Sequence, residues 1–505
     1  MSKRNLWYVN LGAIFCLCFV LAGCAVGPDY PGTPRMGISK HYAPPPDPAI
    51  VPDGHIAKDW WTVFNDPTLD FLIAEAQKNN LSLAAAAARV YEARYTVTAQ
   101  QGGYFPSVNT SGSVTGQENM NAGTMRNAHE YFAAGFDASW EIDLWGRVRR
   151  SVEAAEAGLN YAKEDYNDVL VTLYAEVARA YINVRTLQLQ IATAEKNIAS
   201  QRESLELTQT LFDYGLATNL DVAQATRMLA SSETTLPLLR MGLNENINAL
   251  GILLGKEPTY FQAMLSEPGV IPKPAEQINI SVPTNIIRQR PDIRKAERAL
   301  AQAVANIGIA EAELYPRLSF SGLLNFGALN LSSLVTPNTR SFSFGPNLSW
   351  NIFSGGRVQA NIKVQDARAL QAVYSYESTV LSALNEVENA MYALYQYKVQ
   401  YQSQEKVVTS ARQELDLALS LYKQGLVSFQ SVLDAQLAVF SAENDMAQAE
   451  GQAANNCVAL YKALGGGWDP YNPPEIPDLE AQIMQMETDG TLNNEWRIDP
   501  ASIPK

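Results

Sequence analysis

The chain has 505 residues, 38 basic against 52 acidic, for a formal net charge of −14. With 47% hydrophobic and 18% charged residues it has the make-up of a folded protein, two or three domains long, and wholesale disorder is excluded. The acidic balance argues against nucleic-acid binding, which needs a basic footprint, and only the N-terminus approaches the roughly 20 apolar residues of a membrane-crossing helix, so a multi-span helical membrane protein is excluded too.

Residues 1–23 read as a signal peptide: Lys3 and Arg4, then an apolar run from Leu11 to Leu21. The run ends in Leu21-Ala22-Gly23-Cys24, which resembles a bacterial lipobox, with Cys24 as the acylation point. The alternative is a plain secretory signal with a chance cysteine. Cleavage before Cys24 removes Cys16 and Cys18 and leaves Cys457 as the remaining thiol, so no internal disulfide is expected. His41, His55 and His129 show no metal-ligand spacing, and no metal or cofactor is expected.

Residues 24–66 form an N-terminal extended segment containing Pro44-Pro45-Pro46. A first repeat follows over 67–255. Its opening helix is expected from Pro67 to Tyr104, where Pro106 ends it. A β-hairpin occupies 107–145. A long helix runs from Gly146 to Tyr214 and stops at Gly215, as helices do at a C-cap glycine. Thr218 is a candidate N-cap, with Asp221 three residues on as a capping-box variant. A last helix reaches about Leu250. A linker spans 256–283. The second repeat, 284–465, has a helix closed by Tyr315-Pro316, a hairpin over 316–353, and a long helix to Gln424 stopped by Gly425. Ser428 is its candidate N-cap, and its last helix reaches about Leu460. The tail is 466–505. The Pro- and Gly-rich segments are expected to gather as a small belt where the shorter helices meet.

The two repeats are related by a constant offset of 210. Pro106 matches Pro316, Ser139-Trp140 matches Ser349-Trp350, and Gly146-Arg147-Val148 matches Gly356-Arg357-Val358. Gly215-Leu216 matches Gly425-Leu426, and Leu254-Gly255 matches Leu464-Gly465. Roughly 38 positions are identical over 81–255, where about 12 are expected by chance.

Within each hairpin the residues alternate. Phe132, Ala134, Phe136, Ala138, Trp140 and Ile142 share a face opposite Asp137, Ser139 and Glu141; Phe342, Phe344, Pro346, Leu348 and Trp350 do the same in the copy. Such strands fit a transmembrane β-barrel, and also one hairpin per repeat in a soluble sandwich. Two hairpins give four strands. Four cannot close, and an open edge is not tolerated in lipid, so a barrel requires several chains. Residues 147–213 and 358–424 lack proline, and a helix of about 67 residues spans roughly 100 Å. Such helices need packing along their whole length. The fold class is mainly α, long antiparallel helices with four strands per chain, either an α-helical barrel carrying a membrane β-barrel or long helical hairpins with no channel.

These residues resemble a TolC-like outer membrane factor of the lipoprotein branch that serves multidrug efflux. The resemblance rests on Cys24-Ala25-Val26-Gly27-Pro28-Asp29-Tyr30, on Trp60-Trp61 with Phe64, and on Trp140-Glu141-Ile142-Asp143-Leu144-Trp145-Gly146-Arg147. It continues in Arg290-Pro291-Asp292-Ile293, Tyr315-Pro316 and Phe353-Ser354-Gly355-Gly356-Arg357. It implies a homotrimer in the outer membrane, lipid-anchored through Cys24, with a periplasmic adaptor and a proton-driven inner-membrane transporter as partners. It further implies a pore gate near Asp434, Tyr422 and Gln430, and adaptor-docking tips at Gly215, Leu216, Gly425 and Leu426. Gln430 stands where the branch often has leucine, and Leu437 where it often has arginine. Type I protein secretion, or a non-channel periplasmic lipoprotein built on the helical hairpins, are the other functions considered. No hydrolase, nucleotide-binding or metalloprotease motif is present, so conduction rather than catalysis is expected.

Overall fold

The structure is a computed structural model that describes residues 25–34, 36–37, 50–52, 58–119, 127–273, 278–280, 289–478, 483–484 and 488. Cys24, His41 and His55 lie outside the described residues. The chain divides into two compact units. One takes in 89–163, 295–377 and the described part of 1–35; the other takes in 164–294 and the described parts of 36–88 and 378–505.

The first unit holds a four-stranded antiparallel sheet, β2 (Ser107–Asn119), β3 (Asn127–Ile142), β5 (Arg317–Ala328) and β6 (Arg340–Ser349), in that order. The two hairpins join through β3 and β5. Register makes one face continuous: Val114 lies opposite Phe132, Phe136 opposite Leu324, Trp140 opposite Phe320, and Leu324 opposite Phe342. The other face carries Ser111, Asp137, Ser139, Ser321, Asn325 and Ser343. The apolar face is open, with Phe136, Phe342, Phe344 and Leu348 all exposed.

Each hairpin is tied to the helix before it by one indole. Trp140 Nε1 donates to the Tyr104 carbonyl at 3.0 Å, and Trp350 Nε1 to the Leu314 carbonyl at 3.0 Å. Those are the same bond, one offset apart. Gly146 and Gly356 turn the chain from strand to helix at φ 81° and 83°, a region that disfavours any Cβ. Helices α3 (Arg147–Asp213) and α8 (Arg357–Lys423) follow, each of 67 residues. Residue 163 ends the first unit's share of α3 and residue 377 its share of α8.

The second unit contains α1 (Pro67–Asn79), the start of α2 (Leu81–Gln101), α4 (Asn219–Glu233), α5 (Thr235–Leu253), the short α6 (Gln262–Leu265) and α9 (Phe429–Ala463). It also takes the start of α7 (Pro291–Ala312). Asp66 caps α1 through the Thr68 and Leu69 amides. Trp60 is buried, stacked on Tyr461 at 5.4 Å, and Trp61 packs edge-on against Tyr174. Strand β1 (Ile50–Pro52) pairs in parallel with β4 (Ile278–Ile280), joining the N-terminal segment to the 256–283 linker.

Three local expectations change. The opening helix is not continuous from Pro67 to Tyr104. Asn80 breaks it, accepting from the Leu83 amide with Oδ1 and donating Nδ2 to the Leu253 carbonyl at 2.7 Å. Its last turn is a 3-10 turn, Gly102–Tyr104. Arg290 occupies the matching place in the second repeat and donates Nη1 to the Ala463 carbonyl at 2.8 Å. The last helix of the first repeat is also split, at Thr234. Pro237 has no amide to continue the ladder, whereas the matching residue, Ala447, leaves α9 unbroken. Finally, Ser428 makes no side-chain capping bond, whereas Thr218 and Asp221 form a complete capping box.

Candidate pore gate and helix-turn tips

Both long helices end in the same turn. The Gly215 amide donates to the Phe212 carbonyl and Leu216 to Leu211; Gly425 donates to Tyr422 and Leu426 to Leu421, all at 2.8–2.9 Å. This is the Schellman arrangement, and it needs a left-handed residue. Gly215 and Gly425 provide it at φ 76° and 74°. A Cβ on either would meet nothing within 4 Å, so glycine is required by backbone conformation and not by space. Beside them Tyr214, Leu216 and Leu426 are exposed.

The candidate gate residues fall on two faces. Gln430 and Asp434 are exposed on the first two turns of α9, and Gln430 Nε2 donates to Asp434 Oδ1 at 2.7 Å. The carboxylate is therefore held by an amide one turn away on its own helix. Leu437 continues that stripe and is also exposed. The opposite face of the same turns is apolar. Phe429, Val432 and Leu433 are buried with Ala225 and Met228, and Tyr422 packs on this cluster with its ring 5.2 Å from Phe429. Burial raises the Tyr422 hydroxyl above its ordinary range. So Asp434 and Gln430 come together, and Tyr422 lies behind them as part of their support.

A polar junction that the motif reading missed lies farther along the same helices. Glu443 on α9 is buried. It accepts from Arg412 on α8 at 2.8 Å and from Asn197 on α3 at 2.9 Å. Gln436 Nε2 donates to Ser204 on α3 at 2.7 Å. The first repeat has the matching pair, Arg202 and Glu233, at 3.0 Å, but exposed. The signal was available: Arg202 and Arg412, like Glu233 and Glu443, are identical at the 210 offset. Among the described residues no group of His, Cys, Asp and Glu could hold a metal ion, and no helix is long and apolar enough to cross a membrane.

Comparison with known proteins gives a consistent result. Residues 72–256 and again 282–466 match the family described as "Outer membrane efflux protein". The two matches are themselves 210 residues apart. "Nodulation protein T" of Rhizobium leguminosarum bv. trifolii is 30% identical over 458 residues, covering 89% of this chain and 96% of that protein. "Cation efflux system protein CusC" of Escherichia coli O6:H1 is 30% identical over 455 residues, covering 90% and 98%. The solved structure of the outer-membrane channel OprN superposes with a TM-score of 0.79 at 34% identity, covering 88% of this chain and 99% of that one.

Proposed function

Since the chain belongs to the outer membrane efflux protein family, we propose that three copies close one 12-stranded barrel and form the outer membrane channel of a tripartite efflux pump. The observation that carries this is the sheet. One face is apolar and exposed, the other is polar, and β2 and β6 are left as edges. Lipid cannot tolerate those edges. A barrel of at least eight strands removes them, and three four-stranded sheets are the smallest assembly the family resemblance supports. Relatives bearing the printed names CusC, for cation efflux, and TtgF, for toluene efflux, match over 90% of the chain. We therefore assign cargo choice to the inner-membrane transporter and conduction to this chain. Acylation of Cys24 supplies a further anchor, and the exposed Leu216 and Leu426 tips meet the periplasmic adaptor. Heat-modifiable oligomers in outer-membrane fractions that form pores in planar bilayers are expected; a non-conducting monomer would refute the reading.

In the trimer Asp434 forms a ring of three carboxylates, which favours cations. Gln430 holds each carboxylate without neutralising it. Single-channel recording of Asp434→Ala should show reduced cation selectivity; unchanged conductance and selectivity would remove Asp434 from the gate. Gly215→Arg has room for its side chain but must adopt a positive φ, at a cost of about 1 kcal/mol. Complementation of drug resistance should fall while oligomers persist. Loss of the oligomer instead would make Gly215 a helix terminator only.

A further inference from the structure

The residues after the lipobox cysteine are built into the first unit. The Val26 amide donates to the Trp145 carbonyl at 3.0 Å, beside the turn where β3 becomes α3. Arg150, one turn into α3, is only 4% exposed. Its guanidinium donates to the Val26 and Gly27 carbonyls at 3.1 Å each, and to Asp29 Oδ1 and Glu153 Oε2 at 2.7 Å each. Four acceptors therefore converge on one buried cation, two of them backbone carbonyls more than 120 residues away in sequence. Such charge-assisted bonds are among the stronger ones a side chain makes.

Close backbone approaches fix the same path. A Cβ on Gly27, at φ 87°, would come within 2.4 Å of Gly308 Cα on α7, and one on Gly308 within 2.8 Å of Arg150 Nε. A Cβ on Gly146 would lie 2.7 Å from Ala25. Farther along, Thr33 Oγ1 donates to Glu297 Oε1 at 2.9 Å and the Tyr30 hydroxyl to the same oxygen at 3.3 Å. From Gly308 back to Glu297 is about 16 Å of helix. The segment thus lies along α7 as a strap, with Pro28, Pro31 and Pro34 favouring its extended form.

The strap begins at an aromatic collar. Trp145 stacks on Tyr315 at 4.7 Å and donates its indole N–H to the Pro316 carbonyl, and Trp140 donates its own to the Tyr104 carbonyl. Indole and phenol rings favour the level where a bilayer meets water. Cys24 is one peptide step, about 3.8 Å, from Ala25.

We propose that Arg150 locks the strap so that lipid on Cys24 enters the bilayer at the level of the Trp145–Tyr315 collar, coupling the anchor rigidly to the sheet. The anchor is then a depth gauge for the barrel and not a loose tether. This rests on the reading of Cys24 as acylated.

The test uses the full acylated protein in bilayer discs and Arg150→Met, which keeps the apolar stem. Hydrogen exchange followed by mass spectrometry should find the Val26 amide protected in the wild type and exchanging at least 100-fold faster in the variant, with the acyl mass retained. Insertion of the variant as conducting channels should slow at least tenfold. Asp29→Asn, which spares the carbonyl contacts, should give a change of a few-fold, and keeps the test available if Arg150→Met fails to fold. An unprotected Val26 in the wild type overturns the strap. A freed strap with wild-type insertion overturns the coupling. Absence of acyl mass on Cys24 in the wild type overturns the lipid reading alone, because Val26 protection is measured separately.

Discussion

The two copies of the repeated unit fold alike and differ in what they bury. In the first, the turn is fixed by the Thr218–Asp221 capping box, the helix after it is split at Thr234, and the Arg202–Glu233 pair is exposed. In the second, α9 runs unbroken for 35 residues, Glu443 is buried against Arg412 and Asn197, and Asp434 stands where the first copy has Gln224. Duplication supplied the scaffold twice. Small changes then let the first copy serve as a bracket, while the second took the buried ionic junction and the candidate gate.

Exchanging features between the copies tests this division. The largest effect is expected from Ala447→Pro, which writes the first copy's break into the buried, continuous α9. A cost of about 3 kcal/mol or more follows from the lost hydrogen bond and ring clash, seen as a lowered midpoint in thermal unfolding of the purified oligomer. Pro237→Ala should change it by less than about 1 kcal/mol. Equal effects would mean the split in the first copy is itself structural. Next comes Glu443→Gln. It weakens a charge-assisted junction and should cost about 1.5–3 kcal/mol, against at most about 1 kcal/mol for the exposed Glu233→Gln. Similar losses would show that burial does not distinguish the pairs. The smallest contrast is at the caps. Thr218→Ala should cost about 1 kcal/mol, while Ser428→Ala, with no capping bond to lose, should fall within a few tenths.

Much of the architecture is legible because the duplication repeats its punctuation. Gly146, Gly215 and Gly255 recur at the offset, and all six glycines adopt positive φ. Strand alternation shows in the sequence because side chains on a strand have a period of two. The candidate site is less legible. Asp434 could be named, but its Gln430 partner is a rotamer choice that sequence does not display. Asn80 sits in what looks like ordinary helix, and its work is done on a carbonyl 173 residues away. Arg150 is hidden for the same reason, since backbone carbonyls carry no residue signature. Pro237 is the opposite case: a proline in a helix is plain in the sequence, and the helix splits one turn before it, at Thr234.

The seam between β3 and β5 has a consequence for how the molecule is made. Trp140 pairs with Phe320, about 180 residues later in the chain. A chain delivered from its N-terminus exports the first hairpin long before the strand that completes it. During that interval the apolar face has no partner and β3 presents an open edge, the condition that promotes wrong pairing. Pairing over such a separation is also slow, because the loop must close before any ladder forms. Biogenesis is thus ordered by synthesis: the first copy waits for the second, and each chain waits again for its neighbours.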